Sequence, residues 1–176
     1  MTKIFIGLLF ISFNYNLEIN GMLIGLVPSF VGYLLIYLGL NELTDQSERF
    51  QRVKPFVVGL FLYWSILYIM DLIIGKAQEI TVTMIFVEIA AVIAYFYTLF
   101  SIICGLQDIE YAQSCDLYGE KLYKLWNYLI IVNIATYLGV FLPILLYLGI
   151  IASFVLNIVF LITFNKAKNN YNQRFQ

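Results

Sequence analysis

The chain has 176 residues, of which 62% are hydrophobic and 12% are charged, and its formal net charge is −1. This composition excludes a soluble globular domain, because a single core of this length could not bury so much apolar surface. The absence of histidine excludes Ser-His and Cys-His catalysis, histidine metal sites and histidine pH switches. We expect one membrane domain over residues 1–176, with the lipid bilayer as partner and no cofactor, metal or nucleic acid.

The apolar runs predict an all-α, polytopic transmembrane helical bundle in which six helices form three antiparallel hairpins, since a span needs about 20 residues. The apolar run of helix 1, residues 4–13, is short, so this helix either carries polar residues to the far interface or is re-entrant. Helix 2 begins at residue 22, or at Pro28 if the proline is its start. Pro143 opens helix 6 after a tight turn. The predicted helices cover residues 3–16, 22–42, 54–75, 80–106, 122–140 and 143–165.

The basic residues predict the orientation. Of the ten lysines and arginines, only Lys76 falls on the second side of the predicted membrane. Cytoplasmic loops carry the excess of Lys and Arg, so the sequence predicts a multi-pass protein of the plasma membrane with both termini in the cytoplasm. The residues of the cytoplasmic side are Lys3, Arg49, Arg52, Lys54, Lys121, Lys124, Lys166, Lys168 and Arg174.

Small residues form a stripe on predicted helix 2. Gly25, Gly32 and Gly39 are spaced seven apart, and Ser29 lies between the first two. Such a stripe lets another backbone approach closely. We expect it to pack against a helix of the same chain, and the alternative is a seam with a second copy or with a membrane partner.

Two carboxylates lie inside predicted spans. Asp71 is about 6 Å below the outer interface, where a structural role is expected, whereas Glu88 is about 12 Å deep in helix 4. An unpaired charge at that depth costs several kcal/mol, so we expect Glu88 to face protein or water, or to be protonated. A functional role and a hydrogen-bonded structural role remain open.

Polar and aromatic side chains on several helices predict a small-molecule pocket if their faces converge. Helix register places Tyr68 level with Glu88, which predicts a hydrogen bond from the Tyr68 hydroxyl to the carboxylate. The alternative is that these groups are interhelical contacts, each worth about 0.6–2 kcal/mol. The candidate ligand-binding residues are Glu88, Tyr68, Asp71, Trp64, Tyr95, Thr81, Tyr33, Tyr37 and Asn133.

The second cytoplasmic connection, residues 107–124, carries a group of acids. They could bind a cation or a basic partner, but they lack the spacing of a calcium loop, so we expect an ordinary solvated loop. The four acids are Asp108, Glu110, Asp116 and Glu120.

Three segments resemble a family of small, uncharacterised bacterial six-helix integral-membrane proteins: residues 24–33, 116–123 and 164–168. The resemblance covers most of the chain through these segments. It implies a bacterial inner-membrane location, and it brings no activity and no site residues.

The best functional prediction is a transporter of a small molecule or cation, or its membrane substrate-binding subunit, with Glu88 as the buried binding or coupling acid. The ligand is expected to be neutral or cationic, since no Lys or Arg lies inside a span. The alternative is a non-catalytic interaction or regulatory subunit that uses the glycine stripe and the charged loops, as a homo-oligomer or with a membrane partner. An enzyme is not expected, because Asp71 and Glu88 differ in depth by about one helical turn.

Overall fold

A computed structural model describes the backbone of residues 1–12, 16–19, 22–25, 28–74, 82–138 and 143–175. Within these ranges the chain is an all-α helical bundle, as predicted, with one short antiparallel β-hairpin between the first two helices. The elements are α1 (Thr2–Ser12), β1 (Asn16–Ile19), β2 (Met22–Gly25), α2 (Ser29–Leu43), α3 (Glu48–Ile74), α4 (Val82–Gln113), α5 (Gly119–Leu138) and α6 (Pro143–Phe175).

Three helices are long and apolar enough to cross a bilayer, over Glu48–Met70, Ile85–Gln113 and Leu146–Arg174. Their outward surfaces are apolar: Ile66, Phe86 and Ile151 are each more than half exposed. Large apolar surfaces of this kind are stable in lipid rather than in water. The protein is therefore a membrane protein.

The first two helices are shorter than predicted. At about 1.5 Å per residue, α1 is about 16 Å long and α2 about 22 Å, against about 30 Å of hydrocarbon. The prediction that helix 2 begins at residue 22 is wrong, because Met22–Gly25 is a strand. The alternative start is confirmed: Pro28, with φ −63° and ψ 127°, is the extended residue before α2, and proline disfavours a helical conformation in the residue before it.

The small-residue stripe of α2 packs against α1. A Cβ atom placed on Gly32 would lie 2.8 Å from the backbone oxygen of Gly7, and one on Gly39 would lie 2.9 Å from the backbone nitrogen of Ile4. The expected internal helix contact is therefore confirmed, and Ser29 is buried as well. Gly25 belongs to β2 and not to the helical stripe, which corrects its predicted role in helix packing.

Polar contacts fix the end of this α1–α2 hairpin. Lys3 and Glu42 form an ion pair of 2.5 Å between the first turn of α1 and the last turn of α2. In the connection to α3, the Lys54 ammonium donates a hydrogen bond of 2.7 Å to the Thr44 hydroxyl. Thus Lys3 and Lys54 belong to the same end of this part of the molecule.

The chain divides into two compact units, Met1–Ser101 and Ile102–Gln176, within the single domain expected from sequence. In the second unit α5 packs along α6, and α6 begins at Pro143, as predicted. Both α4 and α6 run past their predicted ends at residues 106 and 165. They continue because their polar extensions still bury apolar side chains, among them Ile109, Ala167 and Tyr171.

Gly32→Ala should destabilise the first unit by about 1–3 kcal/mol, because its Cβ meets a backbone atom that cannot move without separating α1 from α2. Gly59→Ala is the matched control, since a Cβ there meets no atom of the described residues within 4 Å. Unfolding of the purified variants in mixed micelles measures both. Equal free energies of unfolding for the two variants would contradict the close contact of α1 and α2.

Candidate functional site

Three of the predicted ligand-binding residues meet in the first unit, one from each of α2, α3 and α4. The Tyr33 side chain is only 2% exposed. Its hydroxyl is hydrogen-bonded to the side chain of Trp64 and lies within electrostatic range of Tyr95. Because an indole can only donate, Trp64 is the donor. The Trp64 indole N–H and the Tyr33 oxygen are thus paired with each other, which is typical of helix packing rather than of an open ligand site.

The predicted hydrogen bond from Tyr68 to Glu88 is wrong. The Tyr68 ring contacts Phe30, with ring centroids 5.4 Å apart, and the phenol in electrostatic range of Glu88 is Tyr63. Tyr63 precedes Tyr68 by more than one helical turn, about 7.5 Å along the axis. Sequence could not fix which residue of helix 3 lies level with Glu88 on helix 4. The reason is that the amino acids at 75–81 do not show which of them is the centre of the turn.

Glu88 is exposed, as is every residue from 85 to 90. The prediction that protein buries this carboxylate is therefore wrong for a single chain. Its depth in the membrane stays a prediction: Tyr63 lies about 14 Å along α3 from Lys54, which would be near the middle of a hydrocarbon layer of about 30 Å if Lys54 marks the interface. Glu88 thus combines a predicted mid-membrane depth with a surface position.

Beside Glu88, an open groove of about 360 Å³ runs between α3 and α4. We call it the α3–α4 groove. The ring contact between Phe56 and Tyr97, with centroids 4.6 Å apart, joins the two helices near one end. Tyr63 supplies the one polar side chain in the lining. The lining residues are Pro55, Phe56, Gly59, Leu60, Tyr63, Val87, Ala90, Ala91 and Ala94.

Sequence reasoning missed most of this groove. Its signal is the series of small residues at helical spacing on α4, together with a glycine in the middle of an apolar α3. Small residues on facing positions leave space that large side chains would fill. On Gly59 an added Cβ would meet no atom of the described residues within 4 Å, so the groove is open there.

Tyr37, Asn133, Asp71 and Thr81 complete the set of predicted site residues. Tyr37 is partly exposed on α2. Asn133 is in the second unit, where its amide donates 2.8 Å to the Leu129 carbonyl of its own helix. The side chain of Asp71 and the whole of Thr81 lie outside the described residues. The predicted ligand-binding roles of Asn133, Asp71 and Thr81 stay predictions.

The acids between the last turns of α4 and the first turn of α5 form local hydrogen bonds and an ion pair. One Glu110 oxygen accepts the backbone N–H groups of Leu117, at 2.5 Å, and Gly119, at 2.9 Å, so it caps the start of α5. Asp116 accepts the N–H of Tyr118. A hydrogen bond from Lys124 lowers the pKa of the exposed Glu120. Across the ranges that the structure describes, no three acidic or cysteine side chains group as metal ligands.

A double-mutant cycle tests the role of Tyr33 and Trp64. Tyr33→Phe and Trp64→Phe should each cost about 1 kcal/mol of stability, since each leaves a buried polar partner unpaired. The double variant should lose less than the sum of the two. The free energy of unfolding measures this coupling. Strictly additive losses would contradict the hydrogen bond and return both residues to the list of candidate ligand contacts.

Comparisons with protein-family models, curated proteins and solved structures find no match for this chain. The resemblance to a family of small bacterial membrane proteins therefore stays a prediction. Function has to be argued from the geometry of the first unit, where the groove and Glu88 are adjacent.

Proposed function

We propose that this protein is a non-catalytic interaction subunit of a membrane assembly, and that the α3–α4 groove receives a transmembrane helix of another protein. One observation carries the proposal: the Glu88 carboxylate is exposed beside an open groove lined by small residues. In the arrangement proposed below, this carboxylate lies inside the membrane. The proposal takes up the interaction function that was the alternative from sequence, but it uses α3 and α4 in place of the glycine stripe of α2.

The cost of exposing Glu88 to lipid supports a missing neighbour. An acid at the centre of a membrane helix costs about 2.5–3.5 kcal/mol on insertion scales, and more when the side chain cannot reach water. Among the described residues, the phenol of Tyr63 is within electrostatic range of this carboxylate. A helix seated in the groove would remove Glu88 from lipid and offer it hydrogen bonds.

The shape and chemistry of the groove support a helix as the occupant. Gly59, Ala90 and Ala94 allow a second backbone to come close, which increases van der Waals contact in a medium that supplies no hydrophobic driving force. The near absence of polar lining disfavours a hydrophilic solute, since such a ligand needs several hydrogen-bonding groups around it.

Transport of a small neutral or cationic ligand, with Glu88 as the coupling acid, is the second proposal. The proximity of Glu88 and Tyr63 favours it, because a carboxylate beside a phenol can bind a proton or a cation. The apolar lining of the groove and the mutual hydrogen bond of Tyr33 and Trp64 place it second.

For the arrangement in the membrane, we propose a multi-pass protein of the bacterial plasma membrane with both termini in the cytoplasm. The location of Lys3 beside Glu42, and of Lys54 beside Thr44, supports a common side for the first basic residues. The positive-inside rule assigns that side to the cytoplasm.

Photocrosslinking tests the proposed interaction. A photoreactive residue at Val87, which lines the groove, should form an adduct with a membrane protein in native membranes. The same residue at Ile89 is the matched control: it is exposed on α4 but lies at least about 100° around the helix from every groove-lining position of α4, at about 100° per residue. Protein adducts at neither position, or equally at both, would contradict docking in the groove.

Cysteine labelling tests the orientation. In a Cys104→Ala, Cys115→Ala background, cysteines at Thr2 and Gln173 should react with a membrane-impermeant maleimide in inverted vesicles. A cysteine at Ala77 should react in intact spheroplasts. Reaction of the two terminal positions from opposite sides would refute the proposed arrangement.

A further inference from the structure

We infer that the helix received by the α3–α4 groove carries a lysine or arginine at mid-membrane depth, and that this cation pairs with Glu88. The inference rests on the proposed function and specifies the chemistry of the partner. It also excludes a second copy of this chain as the partner that neutralises the carboxylate.

An ionised Glu88 finds no hydrogen-bond donor on its own helix. Serine, threonine and asparagine side chains in these helices donate to backbone carbonyls four residues earlier, as Thr98 does to Ala94 at 2.8 Å. An ionised carboxylate can only accept, and the interior backbone N–H groups of a helix are already used. Glu88 must therefore obtain its donors from another segment.

Tyr63 alone cannot supply all the hydrogen-bond donors that the Glu88 carboxylate can accept. Tyr63 has one hydroxyl hydrogen, whereas a carboxylate has about four lone-pair positions and accepts bidentate donors. With Tyr63 alone, most of the accepting capacity and the whole negative charge of Glu88 would remain uncompensated. A guanidinium or ammonium supplies both the missing donors and the missing charge.

This chain has no lysine or arginine that could pair with Glu88 inside the predicted membrane spans. This chain has no Lys or Arg between Lys76 and Lys121, and within α3 the nearest cation toward its start, Lys54, is about 14 Å from the level of Tyr63. A second copy would bring the same sequence, with no cation at the required depth. The charge complement must therefore come from a different protein.

A lysine or arginine side chain of a helix in the groove can extend to the Glu88 carboxylate. Val87 lines the groove and Glu88 follows it, so the carboxylate lies at the edge of the groove rather than on its floor. A helix seated against Gly59 and Ala90 can extend a long side chain along its own surface to that edge, since the stems of lysine and arginine are flexible and apolar.

Designed single-span peptides test this inference. Two peptides share a small-residue face and differ at one central position, lysine in one and leucine in the other. Their association with the full-length protein in phosphatidylcholine vesicles is measured by energy transfer. The wild-type protein should bind the lysine peptide about tenfold more tightly than the leucine peptide, which corresponds to about 1.4 kcal/mol.

Three variants assign the effect. Glu88→Gln should reduce the preference for lysine to about twofold or less, and Glu88→Asp should retain most of it, which controls for loss of fold. Gly59→Leu should weaken both peptides, because the added side chain occupies the groove. Circular dichroism and thermal unfolding establish that each variant is folded.

The remaining outcomes overturn the inference in distinguishable ways. Equal binding of both peptides, lost in Gly59→Leu, would leave the interaction function standing and remove the cation. Self-association of the wild-type protein that Gly59→Leu abolishes would make a second copy the occupant. No binding of either peptide, with a phospholipid retained by the wild type and lost from Gly59→Leu, would refute both the cation and the docked helix.

Discussion

A helix in hydrocarbon offers polar side chains one kind of partner, its own backbone carbonyls, and this constraint explains most of the polar chemistry in this protein. Hydroxyl and amide groups can donate to those carbonyls without leaving the helix, so they cost little in the membrane. A carboxylate cannot, because it needs donors. Among the described residues, seven side chains use the carbonyl four residues earlier: Thr44, Ser65, Thr98, Asn133, Thr136, Asn157 and Thr163.

That constraint separates Glu88 from the other polar residues of the predicted pocket. The amide of Asn133 is satisfied locally, and Tyr33 and Trp64 are paired with each other. Such groups hold helices in register and need no ligand. Glu88 has neither option, so inside the proposed membrane span its charge needs a partner outside the described contacts.

Sequence predicted what depends on composition and length: the all-α class, the apolar helices long enough to cross a membrane, and the start of α6 at Pro143. It predicted poorly what depends on contacts between helices. The partner of Glu88 is Tyr63 rather than Tyr68, because an apolar hairpin can slip by a turn without changing which residues are apolar. The strand at Met22–Gly25 was missed for a related reason: hydropathy does not distinguish an apolar strand from an apolar helix.

The glycines indicate how one physical rule gives two outcomes. Gly7 and Gly32 bring α1 and α2 so close that a methyl group would not fit, so their contact is complete within one chain. Gly59 has the same capacity for close approach, yet its surface is open. In lipid, unfilled space beside small residues forfeits dispersion contacts that a neighbouring helix would supply. The stripe that sequence assigned to a contact within the chain is therefore occupied, and Gly59, which sequence did not single out, is the glycine with room for a partner.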